Sequence, residues 1–313
     1  MKIVFWLKGK RGIFCLRRIL ESGYEIDLLV LQPQKDTQWY ADANEVAEKY
    51  GISVIEPEDP NDIEIQKFLK GFLPDLFILA GYGKILKKQI IEIAKLMSIN
   101  LHGGKLPGYR GSSPMNWALI NGETTFSISI IKLDDGVDTG DVILEHTFPI
   151  TQDMTIRDLH RMADETFPEM VLEVLKQMED GTYTLKKQDN SRVGYFPLRF
   201  PEDGLIFWDL FTAEDIHNRI RALTDPYPCA FTYFNGRKVK LKSSNLRDSV
   251  FFGEPGRIYL KKNGALLVCA SDKCLWITDA VFEDTGKALY DDVARYESFL
   301  TVRCAINELY KQK

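Results

Sequence analysis

The sequence holds no long apolar run. No stretch approaches the roughly 18 consecutive apolar residues that a bilayer-crossing helix needs. The opening MKIVFWLKGKRG also returns to charge too soon for the apolar core of a secretory leader. No membrane partner is expected, and the expected location is the cytoplasm. Cysteine is scarce and unpaired: Cys15, Cys229, Cys269, Cys274 and Cys304 are an odd set, and the step from Cys269 to Cys274 fits neither a zinc arm nor a redox pair. Reduced, mostly buried thiols are the expectation. The histidines lack metal-ligand spacing, so no metal is expected, and His146, His160 and His217 are assigned solvated or local hydrogen-bonding roles.

Positive charge is short as well. Forty Lys and Arg face forty-five Asp and Glu, a net charge of −5 that offers no global field for a polyanion, so nucleic acid is not expected as a partner. Glycine (22) and proline (13) in 313 residues sit at ordinary usage, which excludes collagen-like and low-complexity classes. What is present, 45% hydrophobic and 27% charged residues, is the composition of a globular protein long enough for about two domains.

The first hundred residues alternate short apolar runs with helical patterns. Strands are predicted at Lys2–Leu7, Glu25–Gln32, Ser53–Ile55 and Asp75–Ala80, and helices at Cys15–Ser22, Asp42–Tyr50 and Ile63–Phe72. This is the pattern of βαβ units, hence an α/β, Rossmann-like, mostly parallel sheet whose function sits beyond the carboxyl ends of its strands. The loop Lys8–Gly12 lacks the third glycine of a dinucleotide fingerprint and reads as a basic strand-to-helix turn, able to meet a phosphate or carboxylate. A long helix is expected over Thr155–Gln177, and Leu185–Asp203 reads as a linker. Beyond it, a helix at Thr212–Leu223 precedes five short strands with Asn235-Gly236 and Asn263-Gly264 as hairpin turns, the signature of a small OB-like β-barrel. The expected organisation is therefore a catalytic domain over 1–185, a linker over 186–205, a barrel over 206–280 and a helical tail over 281–313.

Chemistry concentrates between Ser98 and Ile150. Asn100 and His102, two apart, share a face at the end of a predicted strand. A glycine-rich basic loop follows, and after a second strand comes the acidic turn Asp134–Asp141, which can bring a carboxylate to the histidine. An amide donor, an imidazole and a carboxylate suit acyl transfer to an amine. The amide holds an oxyanion, the imidazole does the same or moves a proton, and the carboxylate orients it. The alternative is a polar strand end next to an acidic turn. With no Gly-x-Ser-x-Gly elbow in the chain, direct attack by the substrate's own nucleophile is the simpler scheme.

These residues resemble the folate-dependent formyltransferases. Asn100-Leu101-His102, the loop Leu106-Pro107-Gly108-Tyr109-Arg110-Gly111, Pro114–Trp117 and Asp138-Thr139-Gly140 fall in that family's order and spacing. Leu79–Leu86 (LAGYGKIL) is similar to its pterin-binding element. The resemblance implies the formyltransferase fold, N10-formyltetrahydrofolate as co-substrate, and Asn100, His102 and Asp138 as catalytic residues. It also implies a pterin pocket lined by Gly83, Lys84, Ile85 and Leu86 with Asp134, Asp135, Gly136 and Val137. Phe196–Trp208 looks like the linker entering the C-terminal domain shared by methionyl-tRNA and some sugar formyltransferases. The likeness covers about residues 1–280; the tail beyond it is left to pack on that domain or to form a dimer contact.

Within the resemblance, the acceptor amine belongs to a nucleotide-linked 4-amino-deoxysugar, a methionyl-tRNA or a glycinamide ribonucleotide. The second domain argues against the last, whose enzymes are mostly single-domain. The tRNA enzymes carry a basic insertion after the second strand, whereas Leu31–Ala43 here has one Lys and two Asp, and residues 206–313 carry only +2 against −7 for 1–205. Tyr50-Gly51-Ile52, Leu106–Arg110 and Asn116–Gly122 look closest to enzymes that formylate a UDP-linked 4-amino-pentose or related 4-amino-4,6-dideoxyhexoses, activities of surface polysaccharide biosynthesis. The expected acceptor is thus a dTDP- or UDP-linked sugar. Lys8, Lys10, Arg11, Lys105 and Arg110 are expected at its diphosphate, and Tyr109, Tyr82 or Trp39 at its base or sugar, with ordinary loop roles as the alternative. A hydrolase that releases formate, built from the same triad, is a rival, as is methionyl-tRNA formylation.

Overall fold

The structure, a computed structural model, describes residues 1–247 and 250–311, and the chain divides into two compact units. The first comprises Met1–Pro114, Phe126–Phe148 and His160–Phe196, the second Met115–Thr125, Pro149–Leu159 and the chain from Pro197.

The elements of the first half run β1 (Ile3–Leu7), α1 (Gly9–Glu21), β2 (Leu28–Leu31), α2 (Gln38–Tyr50), β3 (Ser53–Ile55), α3 (Ile63–Phe72), β4 (Leu76–Ala80), α4 (Lys88–Ile91) and β5 (Met97–His102). They continue through β6 (Arg110–Gly111), α5 (Pro114–Ile120), β7 (Thr125–Lys132), β8 (Val142–Pro149), α6 (Ile156–Asp180) and β9 (Tyr195–Phe196). Seven strands form one sheet in the order β3-β2-β1-β4-β5-β7-β8. The first five are parallel and β7 lies antiparallel on β5, so the expected mostly parallel α/β sheet is present. Every residue of β1, β2 and β4 is buried, which is why these strands read as unbroken apolar runs rather than alternating ones. The strand order reverses between β1 and β4, and crevices at such a point take ligands beyond the carboxyl ends.

Helix α1 begins at Gly9, six residues before the expected start at Cys15. A glycine-rich stretch resembles a loop, yet Gly12 is helical because α1 lies hard against the sheet. A Cβ there would sit 2.7 Å from Leu7 Cγ and 3.0 Å from the Ala80 carbonyl oxygen. The predicted strand over Glu25–Gln32 is shorter, Leu28–Leu31, and α6 extends to Asp180. The stretch expected as linker is structured up to Phe196: β9 pairs in parallel with β6, Arg110 opposite Tyr195 and Gly111 opposite Phe196. Strand pairing across 85 residues leaves no local trace in sequence.

The second unit contains α7 (Ala213–Leu223), opened by a capping box between Thr212 and Asp215. Strands β10 (Ala230–Phe234), β11 (Arg237–Asn245), β12 (Ile258–Lys262), β13 (Ala265–Cys269) and β14 (Cys274–Phe282) form an antiparallel sheet ordered β10-β11-β14-β13-β12. Asn235-Gly236 and Asn263-Gly264 are its two-residue turns, with φ between 49° and 80°, as expected of Asn-Gly hairpins.

The tail departs from expectation. Among the described residues of 281–313, only Leu289–Asp292, a 3-10 turn, and α8 (Val302–Lys311) are helical. The segment between them is extended: Tyr296 N donates to Ile258 O (2.7 Å), Ile258 N to Glu297 O (2.9 Å), Phe299 N to Gly256 O (2.9 Å) and Leu300 N to Tyr233 O (2.9 Å). It therefore runs from the β12 edge to β10, at the other edge of the same sheet. Phe299, 1% exposed, stacks on buried Trp208 at 5.1 Å, and the indole Nε1 donates to Thr232 Oγ1 (2.9 Å). Apolar residues spread over the tail imitate a helix because an extended segment pinned at several points also buries alternate residues.

Candidate active site

Three connections at the carboxyl ends of β1, β4 and β5, with the loop from β7 to β8, carry the expected residues. Asn100 and His102 lie on β5, opposite Ile131 and Ser129 of β7. His102 is 5% exposed. Its Nε2 donates to the Tyr109 carbonyl (2.7 Å) and its Nδ1 faces Asp138 Oδ2 at 3.4 Å. The Asn100 amide is half-buried and has no hydrogen-bond partner among the described residues, so it is open to an incoming group. Asp138 adopts φ 53°, a left-handed conformation that asparagine and aspartate tolerate best among non-glycine residues, and its Oδ2 also accepts from Gly111 N (2.9 Å). The structure thus brings an imidazole and a carboxylate together at the mouth of the sheet, two residues along the strand from a free amide.

The surrounding glycines are steric requirements. A Cβ on Gly104 would fall 2.7 Å from each of His102 Nε2, Pro114 Cβ and the Tyr109 carbonyl oxygen, and one on Gly140 would collide with the Lys132 carbonyl oxygen. Gly104→Ala should therefore displace the imidazole and lower turnover roughly 100-fold, the cost of about an ångström of misplacement. Steady-state rates beside a thermal melt check this; full activity in the variant would mean that His102 tolerates the shift.

The loop after β4 places Tyr82 and Leu86 in a core cluster with Trp6 and Phe77, and Leu133, leading into the acidic turn, packs on that same cluster. Burial, with the charge of Asp59 second, pushes the Tyr82 phenol up to about 12. Its hydroxyl is buried without a hydrogen-bond partner among the described residues, and with only 9% of the residue exposed little of the ring is left to stack on a base or sugar as expected. Gly83 N donates to Gln32 Oε1 (2.9 Å), Lys84 Nζ to the Glu58 carbonyl, and Asn61 Nδ2 to Ile85 O (2.9 Å). Ile85 at 73% and Val137 at 46% exposure hold apolar surface outward on the two loops. In the acidic turn Asp134 Oδ1 accepts from Gly136 N (3.1 Å) and from the Thr139 hydroxyl, while Asp135 is exposed.

The basic residues part company. Lys8 caps β1, its N–H donating to Ala80 O (3.2 Å), and its ammonium approaches Gly83; Lys10 lies 5.3 Å over the Phe14 ring and Lys105 is exposed in the loop after β5. Arg11 does not reach toward a ligand: its Nε donates to Asp164 Oδ1 (2.9 Å) and its Nη2 meets His160 Nδ1 (3.2 Å), both on α6. Burial, then the Arg11 charge, holds His160 down to about 4, so the ring is neutral beside the guanidinium. Arg110 is corrected likewise. It is 3% exposed and consumed internally, donating to Gln188 Oε1 (3.0 and 2.8 Å), Asn190 Oδ1 (3.1 Å) and the Tyr195 hydroxyl (3.1 Å). Tyr109 stacks on Phe196 at 4.7 Å. Gln188, which no sequence motif singled out, bonds both Arg110 and the backbone at Asp138.

His146 is exposed, and His217 donates through Nε2 to Gln152 O (3.0 Å) while its Nδ1 meets Ser244 Oγ (2.8 Å). Among the described residues no cluster of three or more metal-ligating side chains occurs, and no helix is long and apolar enough to cross a membrane.

A doubly wound sheet with an amide, an imidazole and a carboxylate beyond its strand ends is the arrangement of a group-transfer enzyme. The comparisons make it specific. Residues 28–175 match the formyl transferase family and residues 200–294 the formyl transferase C-terminal domain. The chain is 32% identical to the methionyl-tRNA formyltransferase of Acetivibrio thermocellus over 299 residues, covering 93% of this chain and 95% of that one. It is also 32% identical to that of Ruminiclostridium cellulolyticum over 305 residues, covering 94% and 96%. Among solved structures, a Helicobacter canadensis N-formyltransferase in complex with folinic acid and dTDP-3-aminofucose aligns with TM-score 0.69 at 23% identity, covering 88% of this chain and 98% of that one. WlaRD, a sugar 3N-formyl transferase, aligns at 0.68 and 22%, covering 88% and 96%. The chain belongs to the formyl transferase family and is a formyl-transferring enzyme.

Proposed function

We propose that the enzyme transfers the formyl group of N10-formyltetrahydrofolate to the amino group of a dTDP- or UDP-linked 4-amino-deoxysugar. The flat pterin is held at the loop of Gly83, Lys84, Ile85 and Leu86 and at the turn Asp134-Asp135-Gly136-Val137, where Ile85 and Val137 offer exposed apolar contact. The neutral amine attacks the formyl carbon, forming a C–N bond and a tetrahedral oxyanion. The Asn100 amide stabilises that charge as an N–H donor, and His102 joins it when an imidazole N–H turns from its resting partner, the Tyr109 carbonyl or Asp138, to the oxyanion. Asp138 takes the proton released by the amine and returns it to N10 as the C–N10 bond breaks, so that tetrahydrofolate leaves neutral and the carboxylate is regenerated.

The observation that carries the choice of acceptor is a deficit of cations. The connection from β2 to α2 spans only residues 32–37 with Lys35 its sole basic side chain, and residues 206–313 carry a net +2. A tRNA needs several phosphate contacts, a sugar nucleotide only a local pocket for a diphosphate. Lys8, Lys10 and Lys105 remain to supply that pocket. Methionyl-tRNA is the second reading, favoured by the 32% identical relatives.

The test is tetrahydrofolate release from formyltetrahydrofolate with UDP- and dTDP-linked 4-amino sugars, with methionyl-tRNA, and with no acceptor. Turnover with a sugar nucleotide is expected. Turnover with the tRNA alone would overturn the acceptor, and formate release without any amine would make the enzyme a hydrolase.

A further inference from the structure

Asp138 does not hold its own place. It sits in a left-handed backbone conformation at the end of an acidic turn whose residues 134–137 are all exposed, and among the described residues its carboxylate meets only Gly111 N (2.9 Å) and His102 Nδ1 (3.4 Å). The backbone that carries it is gripped from outside the turn. Gln188 Nε2 donates to the Asp138 carbonyl (2.9 Å) and to the Gly140 carbonyl (2.6 Å), spanning the residue at which the chain turns. The other end of the same amide is fixed: Gln188 Oε1 accepts from both Nε and Nη2 of Arg110. Arg110 is buried, is also bonded to Asn190 and Tyr195, and adjoins Gly111, whose N–H meets the Asp138 carboxylate. Arg110, Gln188, the 138–140 backbone, the Asp138 side chain and Gly111 N thus form a closed ring of hydrogen bonds. Both donors and both lone pairs of one primary amide are used, with no freedom to flip it, because the guanidinium offers only donors and the two carbonyls only acceptors.

We propose that Gln188 is a positioning residue for the catalytic carboxylate: it fixes the backbone at 138–140 so that Asp138 Oδ2 stays 3.4 Å from His102 Nδ1. This rests on the catalytic assignment of Asp138 above. A proton acceptor on a strained turn gains its rate from being in place before the substrate arrives, and misplacement by about an ångström costs on the order of 100-fold.

Gln188→Glu separates the two halves of the amide. Its carboxylate still accepts from Arg110, so an anchoring role for residues 188–196 is preserved, but it cannot donate to the two carbonyls. Gln188→Met loses both halves at similar length. Both variants are expected to lower kcat roughly 10- to 100-fold, with KM for formyltetrahydrofolate and for the acceptor within about twofold. The acceptor is whichever of the UDP-linked sugar, the dTDP-linked sugar and methionyl-tRNA the wild type turns over. The amide resonance of Gly111, whose N–H meets the Asp138 carboxylate, is expected to move both in Gln188→Glu and in Asp138→Asn, a readout that needs no substrate. Wild-type kcat in Gln188→Glu with an unmoved Gly111 signal overturns the proposal. Asp138→Asn is assayed alongside: full activity there removes the catalytic assignment itself, whereas an inactive Asp138→Asn beside an active Gln188→Glu removes only the role of Gln188.

Discussion

His102→Ala is expected to lower turnover by about 10²- to 10⁴-fold, the range for losing a positioned proton-transfer group or oxyanion donor, while the fold survives. The imidazole is almost fully buried, but its two polar contacts are to the Tyr109 carbonyl and the Asp138 carboxylate, both in loops beyond the sheet edge, and not to the sheet. Removing it leaves the apolar core of β1, β2 and β4 intact. Asn100→Ala and Asp138→Ala should fall in the same range, the first with the smallest structural effect because that amide has no partner among the described residues to lose. Rates measured under saturating formyltetrahydrofolate, with far-ultraviolet circular dichroism and a melting curve for each variant, separate chemistry from folding. A folded His102→Ala enzyme working at wild-type speed would show that the imidazole is a structural part of the strand end.

Phe299→Ala carries the largest expected effect on stability, about 3–5 kcal/mol, as for other fully buried aromatic side chains. The ring lies parallel to Trp208 with its plane tilted by 8°, and Phe234 meets its edge at 6.1 Å, so its loss opens a cavity against two large side chains. It also loosens the segment that hydrogen-bonds to β12 and Tyr233. Urea denaturation followed through tryptophan fluorescence reads this directly, since Trp208 is one wall of the cavity. A shift under about 1 kcal/mol would mean that the ring packs without filling space the unit needs.

Much of the sheet was legible because burial on both faces demands uninterrupted Val, Ile, Leu and Phe, and because Asn-Gly pairs have few other uses between strands. The nearness of Asn100 and His102 to the acidic turn was legible for a different reason: the period of a strand puts the first two on one face, and an acidic, glycine-bearing turn has no place in a core, whereas the choice of Asp138 within that turn came from the family resemblance alone. The misreadings share one cause. Arg11 and Arg110 looked like anion ligands since nothing nearby in sequence neutralises them, yet Asp164 is 153 residues from Arg11 and Gln188 is 78 from Arg110. Gln188 itself sits in a stretch without periodicity, where a single polar residue carries no signal of its partners. Gly9 and Gly12 disguised the first turn of α1 because the close approach that requires Gly12 is made by Leu7 and Ala80, residues of two different strands.

The extended tail has a consequence for the order of events on the ribosome. Strands β10 to β14 are complete once Phe282 has been added, but the outer edge of β12 and one position of β10 await residues 296–300. In the interval the β12 edge is left with unsatisfied N–H and C=O groups, while the β10 edge, already met by Ile206 N at Phe231 O, lacks its bond at Tyr233; an open edge of this kind is where neighbouring chains join. A clone interrupted before Tyr296 would therefore be lost first to self-association during expression, well before any question of catalysis arose.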